Sequence, residues 1–326
     1  MIDLQPQFKK FYDTIRIDFN NSQLLRDKRD LIITNLTDGL SKALHSNTPK
    51  FSYFNQGSYD LATGVEPLEG EDYDIDVGII FDFTKTDRDP VQVKQVVLDI
   101  LNAPAKRIVD MHRSCVRVQY HQQGAKHFHI DLAIYAYGTD FWGRQNNTLH
   151  IAKGYVGSTS DKRIWEISEP YALKECLKTK FSDNLNRDQF RRTIRYLKRW
   201  KDYNSALQNN GKPTGIALTA CCYKYFQPQY TLDYGSNTRR YNDLSALVIV
   251  TQSIIRSFSW NNKITVELPV KPYNNLFAKM GDNQMSILKN ELQSLYTKLT
   301  EAAQQNQFTR ACMILRSAFG GDFPKS

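Results

Sequence analysis

The order of apolar and polar positions divides the chain into a half that alternates between helical and strand-like periods and a half that is mainly helical. Phe8, Phe11, Tyr12 and Ile15 recur at helical spacing and predict an amphipathic helix over 7–18. Leu24, Leu25, Leu31, Ile32, Leu36, Leu40 and Leu44 predict a longer one from about 22 to about 45. Residues 51–56 read as a first strand, followed by Gly57-Ser58 and a short helical turn. Pro67 and Gly70 punctuate a polar loop over 66–72. Residues 73–83 form the next strand, and the run Ile79-Ile80-Phe81 marks burial on both faces. Pro90 opens a helix over 90–101. Residues 107–111, 115–120 and 127–137 read as further strands, giving a mixed sheet with helices against it. Residues 140–147 and 153–162 read as irregular loops.

Beyond Trp165 the period is helical. Helices are predicted over 187–203, from near 213, and over 243–258, 283–304 and 308–319, with an extended piece at 264–270. Phe319-Gly320-Gly321-Asp322-Phe323-Pro324 reads as a helix stop followed by an apolar tuck. The pattern therefore predicts an α+β chain of two lobes, a mixed-sheet lobe over 1–165 and a helical lobe over 166–326.

Composition changes this picture little. The 326 residues suffice for two lobes, and the 41% hydrophobic and 24% charged fractions are those of an ordinary globular protein. No basic start leads into an apolar core, and no apolar run approaches membrane-spanning length, so a cytoplasmic place is expected. Five scattered cysteines do not read as a disulfide framework. Cys221 and Cys222 lie in an apolar helical pattern and read as packed thiols; a zinc site with His127 or His129 is the alternative. The net charge of +9 suits a polyanionic partner, either a nucleoside triphosphate or a longer nucleic acid.

Candidate chemistry concentrates at Gln56-Gly57-Ser58 and Asp74-Ile75-Asp76. Glycine lets a backbone approach a phosphate closely, and the Ser58 hydroxyl and nearby amides are donors for its oxygens. On a strand Asp74 and Asp76 share a face, and two hard carboxylates suit Mg²⁺. Either feature alone is also an ordinary turn or a solvated strand face. A third acid, Asp131, follows in His127-Phe128-His129-Ile130-Asp131, and adjacent strands would bring all three together. His127, His129 and Asp131 share one face, so a transition-metal site stands beside the reading of His129 as a hydrogen-bonding neighbour of the acid. In the helical half, Arg187, Arg191, Arg195 and Lys198 fall on one face, which reads as an anion contact or a solvated basic face.

Gly57-Ser58, Asp74-x-Asp76 and the strand-borne Asp131 resemble the polymerase-β-like nucleotidyltransferase superfamily. Within it the chain is similar to the cGAS/DncV-like nucleotidyltransferases, bacterial synthases of cyclic oligonucleotide signals in anti-phage defence (CBASS). Arg195-Tyr196-Leu197-Lys198-Arg199-Trp200 resembles the family's helix that contacts the donor triphosphate, with Thr214 as the polar residue at the next helix start. Gly215 departs from relatives that place an aromatic residue beside it, and the zinc insertion of the animal enzymes has no counterpart. The resemblance implies a nucleotidyltransferase lobe with N-terminal bridging helices and a helical lobe. It implies two Mg²⁺ ions, or Mn²⁺, on Asp74, Asp76 and Asp131, and triphosphate contacts at Gln56, Gly57, Ser58, Arg195, Lys198 and Thr214. ATP or GTP are the expected substrates, and a cyclic di- or trinucleotide acting on a downstream effector is the expected product. A monomer that needs neither membrane nor long nucleic acid is implied. A linear product, either a 2′-5′ oligoadenylate or an RNA tail, and a non-enzymatic nucleotide-binding module are the competing readings.

Overall fold

The computed structural model describes residues 2–17, 23–44, 49–103, 107–120, 128–208, 212–233 and 235–326. In chain order the elements are α1 (Gln5–Ile15), α2 (Gln23–Leu44), β1 (Phe51–Asn55), α3 (Gly57–Asp60), β2 (Tyr73–Thr84), α4 (Pro90–Asn102), β3 (Ile108–Met111) and β4 (Val116–Tyr120). They continue with β5 (Phe128–Thr139), β6 (Gln145–Lys153), β7 (Ile164–Ile167), α5 (Pro170–Thr179), α6 (Asn184–Tyr203), α7 (Ser205–Gln208) and α8 (Gly215–Tyr225). The last are β8 (Tyr230–Asp233), β9 (Thr238–Tyr241), α9 (Asp243–Arg256), α10 (Asp282–Ala303) and α11 (Phe308–Phe319). The α+β class expected from the sequence is the class found. The elements fall into two compact units, a sheet unit of residues 18–61 and 69–172 and a helical unit of residues 1–17, 62–68 and 173–326.

The sheet unit is built on strands in the order β1-β2-β5-β4-β3. β2 and β5 run parallel at its centre. The long β5 pairs with β4 over its first half and with β6 over its second, and β7 follows β6. Ile75, Val77 and Ile79 of β2 alternate with polar positions and are buried, as are Ile130, Leu132 and Ile134 of β5. α2 and α4 pack with this sheet. The start of α4 is fixed by Asp89, whose Oδ1 accepts from the amides of Val91 and Gln92, both at 2.9 Å. On the face that carries the polar positions of β2, Ile80, Ala133, Tyr135, Leu149 and Ile151 form a second apolar cluster with Phe54 against it.

In the helical unit Phe8 and Phe11 of α1 pack with Tyr196, Phe319 and Phe323, with ring centroids 5.0–5.3 Å apart. The apolar tuck after α11 is thus made by Phe323, which is fully buried. Gly320 at φ 81 turns the chain there. A fully buried Asp243 at the start of α9 accepts two bonds from Arg192, at 2.7 and 2.9 Å, and one from the Tyr196 hydroxyl at 3.0 Å. A buried charge of this kind is tolerated because its lone pairs are matched.

Two expectations change. Residues 140–147 were expected as one loop, but the loop closes at Arg144 and β6 starts at Gln145. The first half of β6 is polar because it is not buried; only Leu149, His150, Ile151 and Ala152 are. The hairpin β8–β9 was not expected at all: its strands are four residues each and mostly exposed, too short for a period to stand out. Among the described residues no helix is long and apolar enough to cross a membrane.

Candidate active site

The pairing of β2 with β5 decides the geometry of the acids. Asp76 and Asp131 are register partners on adjacent parallel strands, and Asp74 pairs with His129 two positions away. Neighbouring strands lie about 4.8 Å apart, so the three acids occupy one small area of one face. The side chain of Asp74 is 63% exposed and that of Asp131 is 16% exposed.

The turn after β1 meets this area directly. The amide of Gln56 donates to the Asp76 carbonyl at 3.0 Å. Gly57 has φ +65, and a Cβ built there would lie 1.9 Å from Asp76 Oδ2. Only glycine therefore lets the turn sit against this carboxylate. Ser58 follows in the single turn α3, beside the acids. Gln56 is held by Tyr135, whose hydroxyl donates to its Oε1 at 2.9 Å. Burial pushes the Tyr135 phenol up, so it remains a donor at neutral pH. Gly78 has no side chain, and the Phe54 ring fills its place. Tyr171, half exposed, packs on Phe54 with ring centroids 4.7 Å apart.

One residue of the site was not anticipated. Arg117 of β4 is the register partner of Asp131. Its Nε and Nη2 donate to Asp131 Oδ1 and Oδ2, each at 2.7 Å. These bonds raise the Arg117 guanidinium above its ordinary value despite its burial. The sequence signal was present, an arginine between Val116 and Val118 on a strand, but the partner strand and register were not legible. His129 donates toward Asp72, with Nε2 2.8 Å from its Oδ2, and its Nδ1 lies 3.6 Å from Asp74 Oδ1. Its partners are thus Asp72 and, at longer range, Asp74, whereas Asp131, the acid it was expected to neighbour by a hydrogen bond, is held by Arg117. His127, the other half of the transition-metal reading, lies outside the described residues.

Desolvation within the site and the charge of Asp131 raise the Asp74 carboxyl above its usual value, although Arg117 and His129 oppose them. Much of the side chain stays in water, which screens this effect. Among the described residues no three of His, Cys, Asp or Glu stand together as a ready metal cage. The donor set nevertheless fits Mg²⁺. Its oxygens are hard carboxylates, and Mg²⁺ ordinarily takes one or two carboxylates and completes its shell with water and substrate phosphate. The positive charge such a group of acids requires is provided here by Arg117.

Arg195, Lys198 and Thr214 belong to the helical unit. Arg195 is buried and donates through Nε to the Gly64 carbonyl at 2.9 Å. Lys198, also buried, donates to the carbonyl and hydroxyl of Thr63 at 3.0 and 3.1 Å. α6 thus anchors residues 62–68, and these two positions are not a solvated basic face. Thr214 caps α8, its hydroxyl accepting from the Ala217 amide at 3.3 Å. A Cβ on Gly215 would lie 3.3 Å from Lys198 Cε, a close approach to the lysine stem. Lys201 lies 3.0 Å from Asp202 in an ion pair. Cys221 and Cys222 are buried thiols with no metal group around them among the described residues.

Residues 50–135 match the family described as cyclic GMP-AMP synthase DncV-like, nucleotidyltransferase domain. No curated protein matches the chain. Among solved structures, a mutant of the Vibrio cholerae di-nucleotide cyclase (DncV) with ATP and GTP superposes with a TM-score of 0.73 at 16% identity, over 98% of this chain and 97% of that one. The Vibrio cholerae DncV cyclic AMP-GMP synthase, described as a prokaryotic cGAS homolog, gives 0.72 at 17% identity over 99% and 97%. Its complex with the linear intermediate 5′ pppA(3′,5′)pG gives 0.71 at 17% identity over 97% of both chains. Residues 50–135 of the chain therefore match the DncV-like nucleotidyltransferase domain, within a fold shared over nearly its whole length with the Vibrio cholerae di-nucleotide cyclase.

Proposed function

We propose that the chain joins nucleoside triphosphates without a template, releases pyrophosphate and closes the product into a cyclic di- or trinucleotide for CBASS signalling. The observation that carries this reading is the register of Asp76 against Asp131, with the Gly57 turn seated on the Asp76 carboxylate. The likeness to a cyclase solved with ATP and GTP, and with a linear dinucleotide intermediate, supports triphosphates as substrates and ring closure as the second step.

In this reading Asp74 and Asp76 hold divalent metal, Mg²⁺ or Mn²⁺, together with Asp131. Bound there, such ions withdraw charge from the triphosphate and lower the pKa of the acceptor ribose hydroxyl. Asp131 takes the acceptor side and receives the hydroxyl proton. Gln56, fixed by Tyr135, orients the turn, and the backbone and hydroxyl of Gly57-Ser58 hold phosphate oxygens. Arg195, Lys198 and Thr214 are assigned to the triphosphate by family resemblance. Lys198→Met should then raise the KM for triphosphate more than it lowers kcat. A cytoplasmic monomer whose product activates an effector completes the proposal.

The test is incubation with labelled ATP, GTP, CTP and UTP, singly and together, followed by phosphatase. A phosphatase-resistant product supports ring closure and names the bases. A product that loses its terminal phosphates to phosphatase would replace it with linear synthesis, and conversion of all label to nucleoside and inorganic phosphate would mean that no bond between nucleotides had formed.

A further inference from the structure

Arg117 occupies an unusual place for a strand arginine. Its guanidinium is forked onto both oxygens of Asp131, and the same Nη2 lies 3.9 Å from Asp74 Oδ1. It therefore spans two of the three acids. Arg117 and Asp131 are largely withdrawn from water, at 25% and 16% side-chain exposure, so the pair is less screened than a surface ion pair. A planar fork on a carboxylate is the strongest arrangement arginine offers, and it engages one lone pair on each oxygen. A metal ion approaching Asp131 meets oxygens already engaged and a fixed positive charge beside them. The absence of a ready three-ligand group among the described residues agrees with this.

We propose that Arg117 is an internal counter-ion that competes with the divalent cation for Asp131. Loading of the third acid requires the guanidinium to release at least one carboxylate oxygen. Without metal, Arg117 offsets the mutual repulsion of the acids and keeps Asp131 in one orientation. With metal, the fork opens, and the threshold of metal required for turnover is set by this exchange. Arg117 is a positioning residue: it acts through Asp131. The proposal rests on the reading of the three acids as a metal site.

The experiment is Mn²⁺ binding to the full chain, read as loss of the free-ion electron paramagnetic resonance signal. The proteins are the unsubstituted chain, Arg117→Gln, Arg117→Lys and Asp76→Asn, with thermal melts on the same samples. Lysine keeps the cation and the stem but replaces the two-bond fork by a point contact. Competition by the fork predicts that Gln and Lys both tighten Mn²⁺, on the order of tenfold, the scale of one charge-assisted hydrogen bond. Unchanged or weaker binding in both would overturn it. Tightening in Arg117→Gln alone would also overturn it, reducing Arg117 to through-space repulsion. The underlying reading fails separately: equal Mn²⁺ binding by the unsubstituted chain and Asp76→Asn would place the metal elsewhere and remove both claims. Loss of Mn²⁺ in Asp76→Asn without any effect of Arg117 removes only the competition.

Discussion

Gly57→Ala isolates the contact on which the site depends. Two costs are distinct. At φ +65 an alanine enters the left-handed region, at about 1 kcal/mol or slightly more. The new Cβ would also lie 1.9 Å from Asp76 Oδ2 and 2.6 Å from its Cγ, so the carboxylate or the turn must retreat by about 1.5 Å or more to reach ordinary contact. A displacement of that size at a reacting centre costs roughly a hundredfold in rate. Gly70→Ala is the control, since Gly70 has φ +83 but no atom within 4 Å of a Cβ. It carries the backbone cost without the collision. Gly70→Ala should lose about 1 kcal/mol in urea melts and Gly57→Ala more than that, by the cost of the collision, and only Gly57→Ala should lose about a hundredfold in pyrophosphate release. Equal turnover by the two variants would refute the claim that the turn is seated on a working carboxylate.

Other consequences concern the scaffold. Asp89→Ala removes the cap of α4 and the bond from Arg163 at 2.6 Å, and should cost about 1–2 kcal/mol at pH 7. Burial raises Asp89, but the Arg163 and amide bonds outweigh it and hold the carboxyl below its usual value. Its contribution is therefore present above the unfolded value near pH 3.9 and lost as pH falls through the folded one, so melts of the two proteins should converge at acid pH. Lys94→Met should cost about 2–3 kcal/mol, because the buried ammonium donates to the carbonyls of His112, Arg113 and Gly154 and a methionine donates to none of them, although the Arg113 carbonyl keeps the Gly154 amide at 2.9 Å. A loss under 1 kcal/mol would contradict that. Burial pushes the Cys221 thiol up to about 12 and Cys222 well up as well, so iodoacetamide at pH 8 should label neither in the folded protein and both in urea. Labelling of the folded protein at either would show that α8 opens.

What the sequence made legible follows from how local the signals are. Asp74 and Asp76 share a face by the period of one strand, and the Gly57-Ser58 turn precedes them on the strand before, within the same short stretch of chain. The helix ends at Pro90 and Phe319 were marked by residues whose backbone preferences are intrinsic. Arg117 was not legible as a partner of Asp131, because that depends on which strands adjoin and in what register. Arg195 and Lys198 were legible as one helix face but not as donors to the carbonyls of residues 63 and 64, more than a hundred positions away. β8 and β9 were not legible because each has only four residues, and the brief alternation of Tyr230 and Leu232 is too short to mark a strand.

The central claim is that Asp74, Asp76 and Asp131 perform metal-dependent nucleotidyl transfer. Its most direct measurement is pyrophosphate release from the four triphosphates with Mg²⁺ or Mn²⁺, for the unsubstituted chain and for Asp76→Asn and Asp131→Asn. The account predicts release that requires the divalent ion and falls by several orders of magnitude in each variant, as for the loss of whole catalytic groups. Release that persists in Asp76→Asn, or that does not depend on the ion, would contradict it.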